Sequence, residues 1–334
     1  MAKSKSVLGF DLGGNQIKIV EIKKNKVVKF VKEDMPDGII SDGEITAWET
    51  LYEFLYGVIS QNRFRAKNAR LVLPDKQVNL IRITTPIMSE KQLAVNLPFE
   101  FKDFISDDSE AYIYDYALKG ITQDENGNDT GYDILACATS SALMDKYIEL
   151  FDRLHLNLEM ATPQCLCIET LMKRINPSLA DEDFAVIDLG YSTTRINIFS
   201  NGIYDTARTI DTGCRNIVER ITALKECNDD EAIHYMNENT EGILDSPEIM
   251  DICSDIAINI MRAVNYYAYE KQNNELHNLY VCGGGATIPQ LVSELDENVP
   301  LNIIVMSEFT DSEMGKDVLV NGHAAAGICW NGGD

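Results

Sequence analysis

Basic residues are scarce in this chain. Lys and Arg total 29 against 53 Asp and Glu, a formal net charge of −24 over 334 residues. So acidic a surface repels phosphate backbones and anionic headgroups, which argues against direct binding to nucleic acid or a bilayer. One cationic cleft for a small phosphate ligand is compatible with it. Histidine is scarcer still, at four, too few and too scattered to assemble a Ser/His/Asp set. The eight cysteines form no CxxC pair. They stand in apolar runs such as Leu135-Ala136-Cys137-Ala138 and read as buried, reduced thiols, so neither a zinc cluster nor a disulfide framework is expected. No run of about 18 apolar residues occurs, so no membrane span is expected. Met1 to Phe10 holds no apolar stretch suited to a signal peptide, and the expected location is cytoplasmic.

What is present is ordinary globular material, 45% hydrophobic and 25% charged, and an internal repeat. Asp11-Leu12-Gly13-Gly14-Asn15-Gln16-Ile17-Lys18-Ile19 returns 177 residues later as Asp188-Leu189-Gly190-Tyr191-Ser192-Thr193-Thr194-Arg195-Ile196. Each copy opens with a short apolar strand, Val7 to Phe10 and Phe184 to Ile187. Each continues through a polar turn to a second strand and a tight turn, at Lys24-Asn25 or Asn201-Gly202. Each closes with a third strand, Val27 to Val31 and Tyr204 to Arg208. Asn-Gly between strand-like runs is a strong hairpin signal. Two such meanders imply an α/β fold of two related lobes with a cleft between them.

The intervening segment, 75–158, has its own pattern. Gln77 to Thr84, Ala111 to Leu118 and Tyr132 to Thr139 read as strands, with Lys119 to Gly131 as a polar loop. Ser89 to Ile105 reads as a helix opened by a Ser89–Gln92 capping box and ended or kinked by Pro98. Ser140 to Leu156 is an amphipathic helix. This β-α-β-β-α block is read as a small domain inserted into a first lobe made of 1–74 and 159–183. The second lobe is 184–334, with a helical, acidic subdomain at about 215–274, broken near Asp245-Ser246-Pro247. Its strand Leu279 to Cys282 runs into Gly283-Gly284-Gly285-Ala286 and a helix from Pro289. Gly322 to Ile328 is a small-residue helix suited to close packing, and His323 in it reads as a helix-cap or core histidine.

A strand that ends in Asp before a glycine turn suits a nucleotide site. Glycine lets backbone amides approach phosphate and form an anion nest. The Asp carboxylate would repel phosphate, so it is suited to holding water around Mg²⁺, which takes one or two carboxylates and keeps several waters. One such turn alone is usually only a turn; two in matching hairpins point to a site. Lys18 and the hydroxyls of Ser192, Thr193 and Thr194 add donors. No P-loop and no GxGxxG occurs, so a ligand is not held in either of those ways.

These segments, in this order, resemble the actin-like ATPase superfamily, whose fold is ribonuclease H-like. Asp11 to Lys18 is similar to its first phosphate loop and Asp188 to Thr194 to its second. Tyr280 to Leu291 resembles its adenosine motif, and Gly322 to Ile328 its second connecting helix. Within the superfamily the chain resembles the PilM family of type IV pilus and related type II secretion machines. That likeness runs through Met35 to Gly43, Leu71-Val72-Leu73-Pro74, Asp145 to Leu158 and Arg262 to Tyr267. The related FtsA ends in a membrane-binding amphipathic helix, whereas this sequence closes on Asn331-Gly332-Gly333-Asp334.

The resemblance implies ATP with Mg²⁺, the ion held through water by Asp11 and Asp188. It implies Gly13, Gly14, Asn15, Lys18, Gly190, Ser192, Thr193 and Thr194 around the phosphates. Gly213, Arg262, Gly283, Gly284, Gly285 and Ala286 would frame the nucleoside. Gln164 is a candidate to orient water, because Thr162 stands where the family often has Asp. The first loop has Gly14, Asn15 and Gln16 in place of serines, and Asn259 replaces an acidic residue three positions before Arg262. Binding survives such changes more readily than hydrolysis, so slow turnover is expected. The resemblance further implies docking of the N-terminal tail of a PilN-like bitopic inner-membrane protein, other machine components as partners, and recruitment to the inner face of the membrane without insertion. A sugar-type kinase and an FtsA-like filament former are the alternatives on this fold.

Overall fold

Alternating apolar residues, Leu8, Phe10 and Leu12 and then Ile17 and Ile19, drive the chain into a sheet at once. β1 (Ser6–Leu12), β2 (Gln16–Lys23) and β3 (Lys26–Asp34) are neighbouring strands, with β1 and β2 antiparallel. Lys24 and Asn25, both at positive φ, turn β2 into β3 as a two-residue hairpin requires. The chain, seen in a computed structural model, is described over residues 6–41, 43–105, 109–271, 275–309 and 314–330. Asp42 of the Met35–Gly43 stretch, Asn274 at the end of the expected helical subdomain and the closing Asn331–Asp334 lie outside these residues.

A small ribbon, β4 (Ile40–Ser41) with β5 (Glu44–Ile45), leads to α1 (Trp48–Gln61) and β6 (Asn68–Leu73). Next come β7 (Asn79–Pro86), α2 (Glu90–Glu100), β8 (Tyr112–Gln123), β9 (Asp129–Ser140) and α3 (Ser141–Arg153). β10 (Asn157–Pro163) and α4 (Gln164–Ile175) follow. The second half holds β11 (Phe184–Leu189), β12 (Thr194–Ser200), β13 (Ile203–Ile210), α5 (Cys214–Lys225), α6 (Asp229–Glu238) and α7 (Pro247–Glu270). It ends with β14 (Asn278–Cys282), α8 (Pro289–Asn298), β15 (Asn302–Val305), α9 (Lys316–Asn321) and α10 (His323–Trp330). The chain divides into two compact units, 1–24 with 31–164 and 25–30 with 165–334, so α4 groups with the second.

In the first unit the large sheet has the order β10-β6-β1-β2-β3, with β1, β6 and β10 parallel. Leu8 and Phe10 of β1 share a core with Leu51 and Leu55 of α1 and with Tyr147 and Phe151 of α3. Phe10 meets Phe151 edge to face at 5.0 Å. Emptying either position would cost about 3–5 kcal/mol. The helix read as the last element of the insert thus buries its apolar face in the large core. The smaller sheet, β7-β9-β8, is antiparallel, and α2 covers one face of it through Leu93, Leu97 and Phe101. The Ser89–Gln92 capping box is present, and α2 stops at Glu100, two residues past Pro98.

The segment read as a loop, Lys119–Gly131, is mostly strand: β8 runs on to Gln123 and β9 starts at Asp129. Asp124 closes the turn by accepting from the amides of Asn126 and Asn128, both at 2.9 Å, with Gly127 at φ +81. Its polar residues are those of a ribbon wetted on both faces.

The second unit repeats the large sheet strand for strand, in the order β13-β12-β11-β14-β15. Asn201 and Gly202 make the matching hairpin turn at positive φ. Ile187 and Ile196 of the sheet share a core with Ile217 and Ile221 of α5 and Ile256 and Ile260 of α7. The helical region breaks at Asp245–Pro247 and also at Glu226 and Asn239, both left-handed C-caps. α10 lies backbone to backbone on α4, since a Cβ on Gly327 would stand 2.0 Å from the Cys167 carbonyl oxygen.

Candidate functional site

The first Asp-Leu-Gly turn joins β1 to β2. Asp11 and Lys18 face each other across the two strands, with Lys18 Nζ 3.7 Å from Asp11 Oδ2. A Cβ on Gly13 would stand 2.7 Å from the Gln16 carbonyl oxygen and 3.2 Å from Lys18 Nζ, so the turn closes only on glycine. Gly14 is exposed and open. Asn15 accepts from the Met35 amide at 2.8 Å, and Gln16 Nε2 donates to Asp34 Oδ1 at 2.7 Å. The structure therefore gathers Asp11, Gly13, Gly14, Asn15 and Lys18 about one turn, with a cation beside the carboxylate.

The second turn, between β11 and β12, closes the same way. The Gly190 amide donates to Thr193 O at 3.1 Å, and a Cβ there would stand 2.7 Å from that oxygen. The start of α5 grips it: the amides of Cys214 and Arg215 donate to Gly190 O and Tyr191 O at 3.1 and 2.8 Å. A Cβ on Gly213 would stand 2.5 Å from Tyr191 O. Thr194 is fully buried and its hydroxyl donates to Thr212 O at 2.9 Å, so its proton is committed inside the fold. Ser192 is exposed and Thr193 half-buried.

The triple glycine packs onto this second turn. Gly283 sits at φ +85, where a Cβ would come within 2.4 Å of Asp188 Oδ1 and 2.6 Å of Leu189 O. A Cβ on Gly285 would meet the Leu189 side chain at 2.7 Å, whereas Gly284 is exposed with open space beside it. Ala286 is buried in the core and its amide donates to Gly283 O at 3.1 Å. Beside the turn, α5 and α7 enclose an open cavity of about 350 Å³ lined in part by Thr212, Asn216, Glu219, Arg220 and Asp255. Arg262 lies further along α7, exposed, with Nη1 3.4 Å from Asn259 Oδ1. Gln164 begins α4 and is half-buried, in the first unit.

Sequence reasoning missed two members of the second turn. Parallel pairing of β11 with β14 sets Cys282 beside Asp188. His323, the first residue of α10, is buried, with Nδ1 3.0 Å from Val320 O and Nε2 3.4 Å from Asp188 Oδ2. Burial opposes a charged ring, but the Cys282 sulfur and the Asp188 carboxylate outweigh it and hold the His323 pKa well above the ordinary value. Only the small-residue helix around His323 was visible in the sequence; the carboxylate it meets is 135 positions away. All eight cysteines are free. Burial pushes the Cys214 and Cys253 thiols up to about 12 each and Cys137 to about 11.

The small sheet and α2 carry a second kind of surface. Val95, Phe99 and Phe104 are 66%, 62% and 61% exposed, with Ile87, Ile113, Leu118 and Ile121 also open. So many large apolar side chains on one small block mark a contact surface. Among the described residues no helix is long and apolar enough to cross a membrane.

The model of the type IV pilus assembly protein PilM family matches residues 9–325. Among solved structures, a PilM–PilN type IV pilus biogenesis complex is similar at TM-score 0.81 and 18% identity, over 98% of each chain. The ethanolamine utilization protein EutJ from Carboxydothermus hydrogenoformans follows at TM-score 0.61 and 13% identity, over 98% of this chain and 90% of that one. MreB 5 of Spiroplasma citri bound to AMPPNP gives TM-score 0.53 and 12% identity, over 91% and 92%. At these identities the likeness shows the fold, which is the actin-like ATPase fold.

Proposed function

The chain belongs to the PilM family of type IV pilus assembly proteins, and from that premise we propose an ATP-binding assembly component that docks the tail of a PilN-like membrane protein. The observation that carries the nucleotide part is the pair of Asp-Leu-Gly turns, built on two sheets of identical strand order and closed by the same glycine contact. Gly13, Gly14, Asn15 and Lys18 would meet phosphate from one turn, and Gly190, Ser192 and Thr193 from the other. The Thr194 proton is engaged elsewhere, so its part is to brace the turn. The open cavity beside Gly213 is within the size range of small-molecule pockets and suits a nucleoside.

Asp11 and Asp188 fit a magnesium role, since each carboxylate ends a strand and is 19% exposed, near enough to solvent to hold a hydrated ion. The ion would screen phosphate charge. Turnover is slow in this reading, because Gln164 is the sole water-orienting candidate and no carboxylate stands in its place. With free ATP about 100-fold above its dissociation constant, linkage adds roughly 2.7 kcal/mol. That raises Tm by about 5–10 °C for a lobe of roughly half this chain's length. Absence of any shift with nucleotide, in protein stripped of it beforehand, would refute ATP binding.

The partner reading is supported by the PilM–PilN structure among the neighbours, by the exposed apolar surface of the small sheet and α2, and by net charge. At −24 the protein attracts a tail bearing Arg or Lys, while apolar anchors supply affinity. Such docking would bring the protein to the inner face of the cytoplasmic membrane. Titration of the cognate tail into full-length protein tests it: salt weakens binding without abolishing it. No binding at low salt would contradict it.

A further inference from the structure

Asp188, Cys282 and His323 come from three separate elements, β11, β14 and α10, and offer one oxygen, one sulfur and one nitrogen. These three ligating atoms lie within 4.8 Å of one another. Cys282 is fully buried and His323 is 3% exposed, while the Asp188 carboxylate keeps an open side. The imidazole is already oriented as a ligand. Val320 O can only accept, so Nδ1 carries the proton of that 3.0 Å bond and Nε2 is the atom left to ligate once its own proton is displaced. Nε2 is buried and has no hydrogen-bond partner among the described residues.

Its separation from Asp188 Oδ2, 3.4 Å, is long for a charge-assisted N–H···O bond, which runs about 2.7–2.9 Å. It equals the edge of a tetrahedron whose nitrogen and oxygen ligands stand about 2.1 Å from a central zinc.

We propose that Asp188, Cys282 and His323 form a three-ligand site for a thiophilic divalent cation of the zinc class, with the fourth position open to water or an anion. Sulfur and imidazole select such an ion over magnesium, which prefers oxygen alone. On binding, the Cys282 thiol and His323 Nε2 each release a proton to solvent, and Cys282 gives up its 3.4 Å contact with Ile187 O. The first unit is an internal contrast: the residue paired with Asp11 at the equivalent position of β6 is Val72, which has no ligand atom. The proposal stands apart from nucleotide binding, although the two share Asp188.

The test is titration of chelator-treated, nucleotide-free, full-length protein with Co²⁺ alone. One equivalent is expected to bind, giving a thiolate-to-cobalt charge-transfer band and the visible bands of a four-coordinate ion, and Zn²⁺ should bleach both. Cys282→Ser should abolish the charge-transfer band, and His323→Gln should weaken binding at least about ten-fold. Cys253→Ser, which removes another buried thiol of the same unit, should leave the spectrum intact, with circular dichroism confirming that each variant is folded. Absence of the band in wild type at sub-millimolar Co²⁺, or its persistence in Cys282→Ser, would overturn the site.

Discussion

Asp11 and Asp188 end equivalent strands of equivalent sheets, and both turns close on a glycine whose added Cβ would stand 2.7 Å from the carbonyl three residues on. What faces the two carboxylates differs. Across the antiparallel neighbour, Lys18 reaches Asp11 at 3.7 Å; the residue paired with Asp188 is again basic, Arg195, which also donates to Asn197 Oδ1 and Thr209 Oγ1, each at 3.2 Å. Across the parallel neighbour stand Val72 and Cys282, and the second carboxylate alone meets a buried histidine among the described residues. Backbone geometry has been kept in duplicate while side-chain chemistry has diverged. Beside one carboxylate the parallel strand sets a valine; beside the other it sets a thiol, and a buried imidazole joins it.

The strongest way to break this comparison is Gly283→Ala. Its positive φ and the approach of Leu189 O to 2.6 Å apply only to the second unit, where the first has Leu73 at the equivalent position. Strain and overpacking together should cost about 3–5 kcal/mol, read by urea denaturation. A loss below about 1 kcal/mol would show that the triple glycine does not need its close contact.

A matched pair comes next. Gly13→Ala and Gly190→Ala introduce the same 2.7 Å clash and should each destabilise by about 1–3 kcal/mol, to within a kcal/mol of each other. A clear inequality would mean that one turn relaxes and the other does not.

Alkaline titration probes both units, since Cys137 of the first is also pushed up, to about 11. The Cys214 and Cys253 thiols of the second unit are held near 12 by burial, against 9.0 for an ordinary thiol. Between these limits the unfolded chain has lost the protons that the folded one keeps. Stability is therefore full below pH 9 and falls as pH rises toward about 12, by at most about 1.4 kcal/mol per pH unit for each thiol. Cys214→Ala should flatten that slope in pH-dependent unfolding, and an unchanged slope would contradict the assignment.

The smallest effect on stability should come from Phe99→Ser on α2. An exposed side chain changes folding by no more than about 0.5 kcal/mol, yet tail binding should fall several-fold in calorimetry. Undiminished binding would move the docking surface off α2.

Much of this was legible before any coordinates. The hairpins at Lys24-Asn25 and Asn201-Gly202 were readable because left-handed turns demand particular residues, and Ser89–Gln92 because a capping box is local chemistry. The repeated Asp-Leu-Gly announced two equivalent turns for the same reason. What was not legible depended on distance along the chain. The apolar face of α3 is plain in Tyr147, Leu150 and Phe151, but nothing local says that it packs on Phe10. The β8–β9 ribbon hid its length because exposed strands carry no apolar alternation. Breaks at Glu226 and Asn239 were missed because non-glycine left-handed caps leave little trace in composition. His323 read as a helix-cap or core histidine, and it is buried at the start of α10, but its neighbours Asp188 and Cys282 come from two strands that only the sheet brings together.

Calorimetric titration of ATP, with and without Mg²⁺, into wild type, Asp11→Asn and Asp188→Asn tests most directly whether each of the two turns takes part in nucleotide binding. The account predicts that Mg²⁺ tightens ATP binding in wild type and that either substitution removes that gain by itself, with the folded state intact by circular dichroism. A wild-type response to Mg²⁺ in either variant would contradict it.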